Sequence, residues 1–203
     1  MPLHRFSDAR LPTPHGEFRI VVYRTGDPAQ PGSSFAGLDE EHVAMVLGDA
    51  TGDAVLTRVH SSCFTGEVLG SLRCDCRAQL DAALARIARE GKGVLVYLVQ
   101  EGRGIGLGNK VKAYALQDEG HDTVEANLQL GFDADHRSYD LAAGILRDLG
   151  VRSVRLMTNN PAKMAGLENA GIAVVAHEPH WVDAGEHASD YLEAKKSKMG
   201  HIG

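Results

Sequence analysis

Residues 76–99 of this 203-residue chain read CRAQLDAALARIAREGKGVLVYLV. This segment constrains the fold more than any other. Leu80, Ala83, Leu84, Ile87 and Ala88 recur at helical spacing, and Gly91 supplies the stop, so a helix is predicted over 76–90. The run that follows, 93–99, is continuously apolar and rich in β-branched residues, as in a strand buried on both faces. A one-face helix feeding a two-face strand requires layers on both sides of a sheet. The expected class is therefore α/β, a single layered domain with a mixed β-sheet flanked by helices.

The rest of the chain agrees with this frame. Residues 11–16, LPTPHG, are turn formers leading into a first predicted strand at 18–23. Further strands are predicted at 42–47, 54–60, 153–157 and 172–176, and helices at 110–119, at 139–149 and from Pro161, which suits a first helical position. Residues 25–38 concentrate Gly, Pro and Ser and read as an exposed loop, and 190–203 read as a C-terminal tail. No internal repeat or low-complexity linker divides residues 1–203. Hydrophobic residues at 43% and charged residues at 24% supply a core and give no case for disorder. The net charge of −6 argues against a broad grip on nucleic acid but leaves room for a small anion held by local cations. No run suggests a signal peptide or a membrane span, and the expected location is cytoplasmic.

Three cysteines, Cys63, Cys74 and Cys76, are spaced C-x10-C-x-C just before the strong helix. An odd number with two only one residue apart makes a disulfide framework a poor fit. Thiolates suit zinc, and three rather than four fit a catalytic site with a position left for water. Two alternatives also satisfy the spacing: a structural site completed by His60, or free thiols acting as small hydrophobes. Two loops after predicted strands could cradle an anion. Residues 100–109, QEGRGIGLGN, alternate glycine with other residues and carry Arg103, with Lys110 and Lys112 just beyond. Residues 158–163, TNNPAK, offer Thr158 and Lys163, although a Thr or Asn there also serves as a helix cap. A third segment, 131–141, sets Asp135 and Arg137 beside His136 and on its own reads as a solvated helix entry.

Taken in order, RVHSSCFTGEVLGSLRCDC, QEGRGIGLGNKVKAYALQDEGHDTVEANLQLGF, DADHR, TNNPAK and KSKMGH closely resemble GTP cyclohydrolase II, over nearly the whole chain from residue 11 onward. The resemblance implies an enzyme that opens the imidazole ring of GTP with zinc-activated water and releases formate from C8 together with pyrophosphate. The implied product is 2,5-diamino-6-(5-phosphoribosylamino)pyrimidin-4(3H)-one, at the entry to riboflavin synthesis. It also implies one zinc per subunit on Cys63, Cys74 and Cys76, magnesium with the GTP phosphates, and a homodimer, with no nucleic-acid or membrane partner. Arg137 is implied as a nucleophile toward the α-phosphate, Asp135 as a proton acceptor and Tyr114 as an aid to ring opening. Implied GTP contacts are Arg58, Val59, His60, Ser61, Ser62, Gln79, Glu101, Gly102, Arg103, Thr123, Thr158 and Lys163.

A guanidinium is essentially always protonated, so Arg137 could equally stabilise phosphoryl charge. Two positions depart from the family pattern: Ser62 stands where Glu is usual before the first cysteine, and His15 where Trp is commoner. These departures leave open a paralogue feeding a secondary pathway from GTP, while Tyr114 argues against a form that retains formate. The family is often fused to a dihydroxybutanone phosphate synthase, and 203 residues suggest the stand-alone cyclohydrolase. A GTP-binding regulatory protein with a structural zinc is the alternative. It would have no need of Tyr114, Asp135 and Arg137 together.

Overall fold

The computed structural model describes residues 3–26, 41–121, 123–132 and 137–182. Its strands are β1 (Leu3–Thr13), β2 (Gly16–Thr25), β3 (Glu41–Leu47), β4 (Val55–Ser61), β5 (Gly93–Leu98), β6 (Ser153–Met157) and β7 (Ala173–Glu178). The helices are α1 (Phe64–Glu67), α2 (Cys76–Glu90), α3 (Gly106–Asp118), α4 (Thr123–Gln129), α5 (Asp140–Asp148) and α6 (Pro161–Asn169). One seven-stranded sheet runs in the order β1-β2-β3-β5-β4-β6-β7. The β1-β2-β3-β5 half is antiparallel and the β5-β4-β6-β7 half parallel, so the sheet is mixed as expected.

Alternation along the strands sorts the core into two clusters. On β5, Val94, Val96 and Leu98 join Val55 and Val59 of β4 and Ala142, Ala143, Ile145 and Leu146 of α5 on one face. Leu95 joins Phe18, Leu56, Met157 and the α2 residues Ala83, Leu84 and Ile87 on the other. Helix α2 ends as its sequence requires: Gly91 adopts φ 77°, and its N–H returns to the carbonyls of Ile87 and Ala88. The same alternation turns Arg58 and His60 toward the α2 face.

Several sequence expectations need correction. Strand β1, not 18–23, is first: residues 11–13 pair with β2, and the turn formers mark only the hairpin tip at 14–15. Most of β1 is exposed and pairs on one edge only, so it lacks the apolar alternation that reveals a strand. Helix α3 begins at Gly106 rather than 110, which makes residues 106–109 of the glycine-rich loop helical. Helices α1 and α4 are too short to leave a periodic signature. Of the predicted 25–38 loop, residues 27–38 lie outside the described residues, as does the 190–203 tail. Among the described residues no helix is long and apolar enough to cross a membrane.

Candidate active site

The carboxyl ends of the parallel strands are where ligands collect in α/β sheets. A cavity of about 740 Å³ opens beside them, within the size range of small-molecule sites. From the end of β4 come Ser61, Ser62 and Cys63; from the segment into α2, Arg73, Cys74 and Cys76; from the turn after β5, Glu101, Gly102 and Arg103. Helix α3 presents Lys110, Ala113, Tyr114, Gln117 and Asp118, and His121, Asn127 of α4 and Arg137 also line the wall.

The three cysteine sulfurs lie within 4.8 Å of one another, and Cys63 Sγ is 3.6 Å from Cys74 Sγ. Thiolates at about 2.3 Å from a tetrahedral zinc are about 3.8 Å apart, so the trio is spaced for such an ion. Gly66 makes room for it: a Cβ there would come 2.7 Å from Cys74 Sγ and 3.3 Å from Cys63 Sγ. Hydrogen bonding with Cys74 and Cys76, joined by the Lys110 ammonium, pulls Cys63 well below the ordinary thiol range. The same shared contacts push Cys74 and Cys76 up.

His60 does not join the cluster. It is buried, its Nε2 donates to Glu67 Oε1 at 2.7 Å, and its ring stacks on Tyr97 at 5.7 Å. Tyr97 donates to the second oxygen of Glu67 at 2.5 Å. Burial holds the imidazole below its usual pKa even against Glu67, so the contact is a hydrogen bond from a neutral ring to a carboxylate. The candidate metal group among the described residues is therefore the three cysteines, without the histidine of the structural-site alternative.

Glu101 is the hub of the turn after β5. Its Oε2 accepts from the Phe64 N–H at 2.6 Å, and its Oε1 accepts from Gly102 N at 2.9 Å and Lys110 Nζ at 2.7 Å. Lys110 also donates to Cys63 Sγ at 3.1 Å. Burial works to lower the lysine's pKa, but Glu101 and Cys63 outweigh it and hold the ammonium above its ordinary value. Arg103 adopts φ 63° beside Gly102 at φ 62°, a left-handed pair that is costly for the non-glycine residue and typical of functional turns. The Tyr114 hydroxyl lies 3.2 Å from Thr65 Oγ1. Its ring sits under the Arg73 guanidinium at 4.9 Å, and burial pushes the phenol up.

Several expected site residues face inward instead. Arg58 donates to Met157 O and to Gln79 Oε1, and Gln79 in turn donates to Asp75, between two of the cysteines. Val59 packs in the core, and its carbonyl accepts from the buried Lys163 Nζ at 2.9 Å. Thr158 Oγ1 accepts from Asn160 N at 3.0 Å, while Asn160 caps α6, so the TNNPAK segment closes a helix entry. Ser61, Ser62, Glu101, Gly102, Arg103, Tyr114, Arg137 and the cysteines do meet at the cavity. Asp135 and the Thr123 side chain lie outside the described residues. Arg73, Gln117 and Asn127 also line the cavity, outside the sequence expectations. For Gln117 a signal existed, since positions 110, 113, 114 and 117 share one face of a helix. Arg73 sits in a turn with no periodicity to expose it.

Sequence comparison bears on the same surfaces. Riboflavin biosynthesis protein RibBA of Chlorobium phaeovibrioides is 51% identical over 201 residues, covering 98% of this chain and 47% of that protein. The proteins of the same name from Bacillus cereus and Mycobacterium avium are 52% and 51% identical, each over 98% of this chain and 48% and 46% of their own length. The chain thus spans about half the length of the curated relatives it matches. The crystal structure of RibBX, a two-domain 3,4-dihydroxy-2-butanone 4-phosphate synthase from A. baumannii, aligns over 89% of this chain and 40% of that one at 22% identity and TM-score 0.45, too loosely to bear on fold or function. The GTP cyclohydrolase II family model matches residues 4–179. That span takes in the cysteine trio, the Glu101 turn, α3 and the Arg137 wall, and the chain belongs to the GTP cyclohydrolase II family.

Proposed function

We propose that the chain is a zinc-dependent GTP cyclohydrolase II that converts GTP to 2,5-diamino-6-(5-phosphoribosylamino)pyrimidin-4(3H)-one, formate and pyrophosphate. The observation that carries this reading is a zinc-spaced sulfur trio on one wall of a cavity whose other walls hold Arg73, Arg103, Lys110, Arg137 and Tyr114. Cys63, Cys74 and Cys76 would hold the metal. Zinc bound there supplies Lewis acidity and a water activated near neutral pH for attack on an electron-poor carbon.

The remaining roles fall to the chain. Tyr114, kept protonated by burial, donates a hydrogen bond or a proton to a ring nitrogen as the imidazole opens. Arg103 and Arg137 are permanent cations at the cavity and stabilise charge on the triphosphate, with magnesium entering on the nucleotide. On this reading Arg137 acts electrostatically, because a guanidinium held protonated has no lone pair to offer phosphorus. Asp135, two residues away, serves as the proton acceptor for the water that attacks the α-phosphorus and displaces pyrophosphate. Ser61, Ser62, Gly102 and Thr123 contribute hydrogen bonds to GTP, and Glu101 and Gln79 match guanine's amide and amino edge. Gln79 already bonds Arg58, so guanine reaches it by exchange, whereas Glu101 keeps its bond to Lys110 and offers guanine its remaining acceptor site. Arg58, Val59, His60, Thr158 and Lys163 back this wall. The active unit is a homodimer with one zinc per subunit.

The test is direct: zinc-loaded protein given GTP and magnesium should release formate and pyrophosphate in equal amounts, with the product identified by mass. Full zinc loading and GTP binding with neither product would refute the enzyme reading in favour of a regulatory binder.

A further inference from the structure

Three thiolates on one divalent zinc leave a net negative charge, which weakens the ion as a Lewis acid and is unfavourable on a partly dry wall. Among the described residues a cation touches the trio directly. Lys110 reaches across from α3, its Nζ 3.1 Å from Cys63 Sγ and its side chain only 13% exposed. The amine is not there by chance rotation of a loose chain. Glu101 Oε1 holds it at 2.7 Å, and the other carboxylate oxygen bonds the N–H of Phe64, the residue peptide-linked to Cys63. The circuit Cys63, Lys110, Glu101, Phe64 closes on itself, so the sulfur and the ammonium are fixed relative to each other from both sides. The Gly102 and Phe64 N–H groups share the Glu101 charge, leaving the lysine's charge available to the sulfur.

We infer that Lys110 is a positioning and charge-compensating residue for the metal thiolates, acting through an N–H···S bond to Cys63, with Glu101 as its orienting partner. Lys110 so held draws electron density from the sulfur and offsets the surplus charge of the cluster. It acts through Cys63 and is not a catalytic residue. This inference rests on the zinc reading above, and it adds a residue and a role outside the ligand set.

The experiment compares wild type, Lys110→Met and Lys110→Arg, each loaded with zinc or with cobalt(II). Wild type should take up one metal per chain; failure there would sink the zinc reading itself. Given that uptake, Lys110→Met should lose zinc affinity about tenfold in chelator competition, the scale of a lost partner to a metal ligand. Its cobalt(II) protein should show the thiolate charge-transfer band moved to longer wavelength, because a sulfur freed of its N–H donor gives up electrons more readily. Lys110→Arg should restore most of both. An unshifted band in Lys110→Met overturns the inference even if affinity falls, since a loosened fold can lower affinity but does not change the sulfur's electron density.

Discussion

Gly66→Ala separates the metal site from the fold more cleanly than any cysteine substitution. Gly66 is buried in α1, and two effects of an added methyl oppose each other there. Alanine is about 1 kcal/mol better than glycine within a helix, so on propensity alone the variant would be neutral or slightly stabilised. The added Cβ, however, lies 2.7 Å from Cys74 Sγ, about 1 Å inside an ordinary contact. In the metal-free protein the clash relaxes cheaply, because a cysteine sulfur moves by turning one bond. In the metal site it does not, since metal–ligand distances tolerate only about 0.2 Å. The expected outcome is a folded protein whose zinc affinity falls by more than the roughly 10- to 100-fold of a lost outer partner, with formate release falling in step. The assay pairs zinc content and chelator competition with thermal melts in the presence and absence of chelator. Wild type should melt lower once chelated, since a ligand that binds only the folded state stabilises it. The variant should melt with metal-free wild type under both conditions. Zinc held as tightly by Gly66→Ala as by wild type would refute the argument that the three sulfurs close around an ion beneath this glycine.

Further expectations follow from the same geometry. Arg137→Ala should lower turnover by about 10²- to 10³-fold, the scale of one lost electrostatic stabiliser, with thermal stability unchanged; full activity in steady-state formate release would remove Arg137 from the mechanism. Tyr114→Phe should cost about 10²- to 10⁴-fold in turnover if its hydroxyl transfers a proton, while leaving zinc content intact. Tyr97→Phe should destabilise by about 1–3 kcal/mol in denaturant unfolding, because it strips a donor from the buried Glu67 carboxylate. Acid should weaken the fold through His180, which burial pushes down to about 4. The unfolded chain, titrating near 6.5, binds the proton first, so this stability is complete above pH 6.5 and is lost as pH falls toward 4, by about 3 kcal/mol at most. His42 and His60, also held low by burial, act in the same direction, so His180→Gln should flatten the pH profile in part. An unchanged slope would mean His180 is not buried as a neutral ring.

Much of this protein is legible in its sequence. The 76–90 helix appears with the bounds its periodicity predicts, and the strand after it is buried on both sides, because apolar spacing and a terminal glycine are local signals that packing had no reason to override. The cysteine spacing pointed to a metal because three soft donors so close in sequence have few other uses. What escaped were elements without such signals. Strand β1 is mostly exposed, so its pairing with β2, rather than its own residues, makes it a strand. The glycine-rich segment looked like a loop throughout, yet from Gly106 it is helix, since helix propensity there is overridden by α3 packing along the cavity.

Residue roles divide along the same line. Sequence by itself determined the layered α/β class, the thiol trio and the motifs shared with the family, all of which depend on residue type at short range. Only the tertiary structure decided which of those side chains face the cavity. It turned His60 to Glu67, Lys163 to the Val59 carbonyl and Gln79 to Arg58, and brought Lys110 from 47 positions away to the Cys63 sulfur. A buried polar group must find a partner, and which partner it finds depends on which strands and helices stand beside it, a matter of long-range packing that no spacing along the chain encodes.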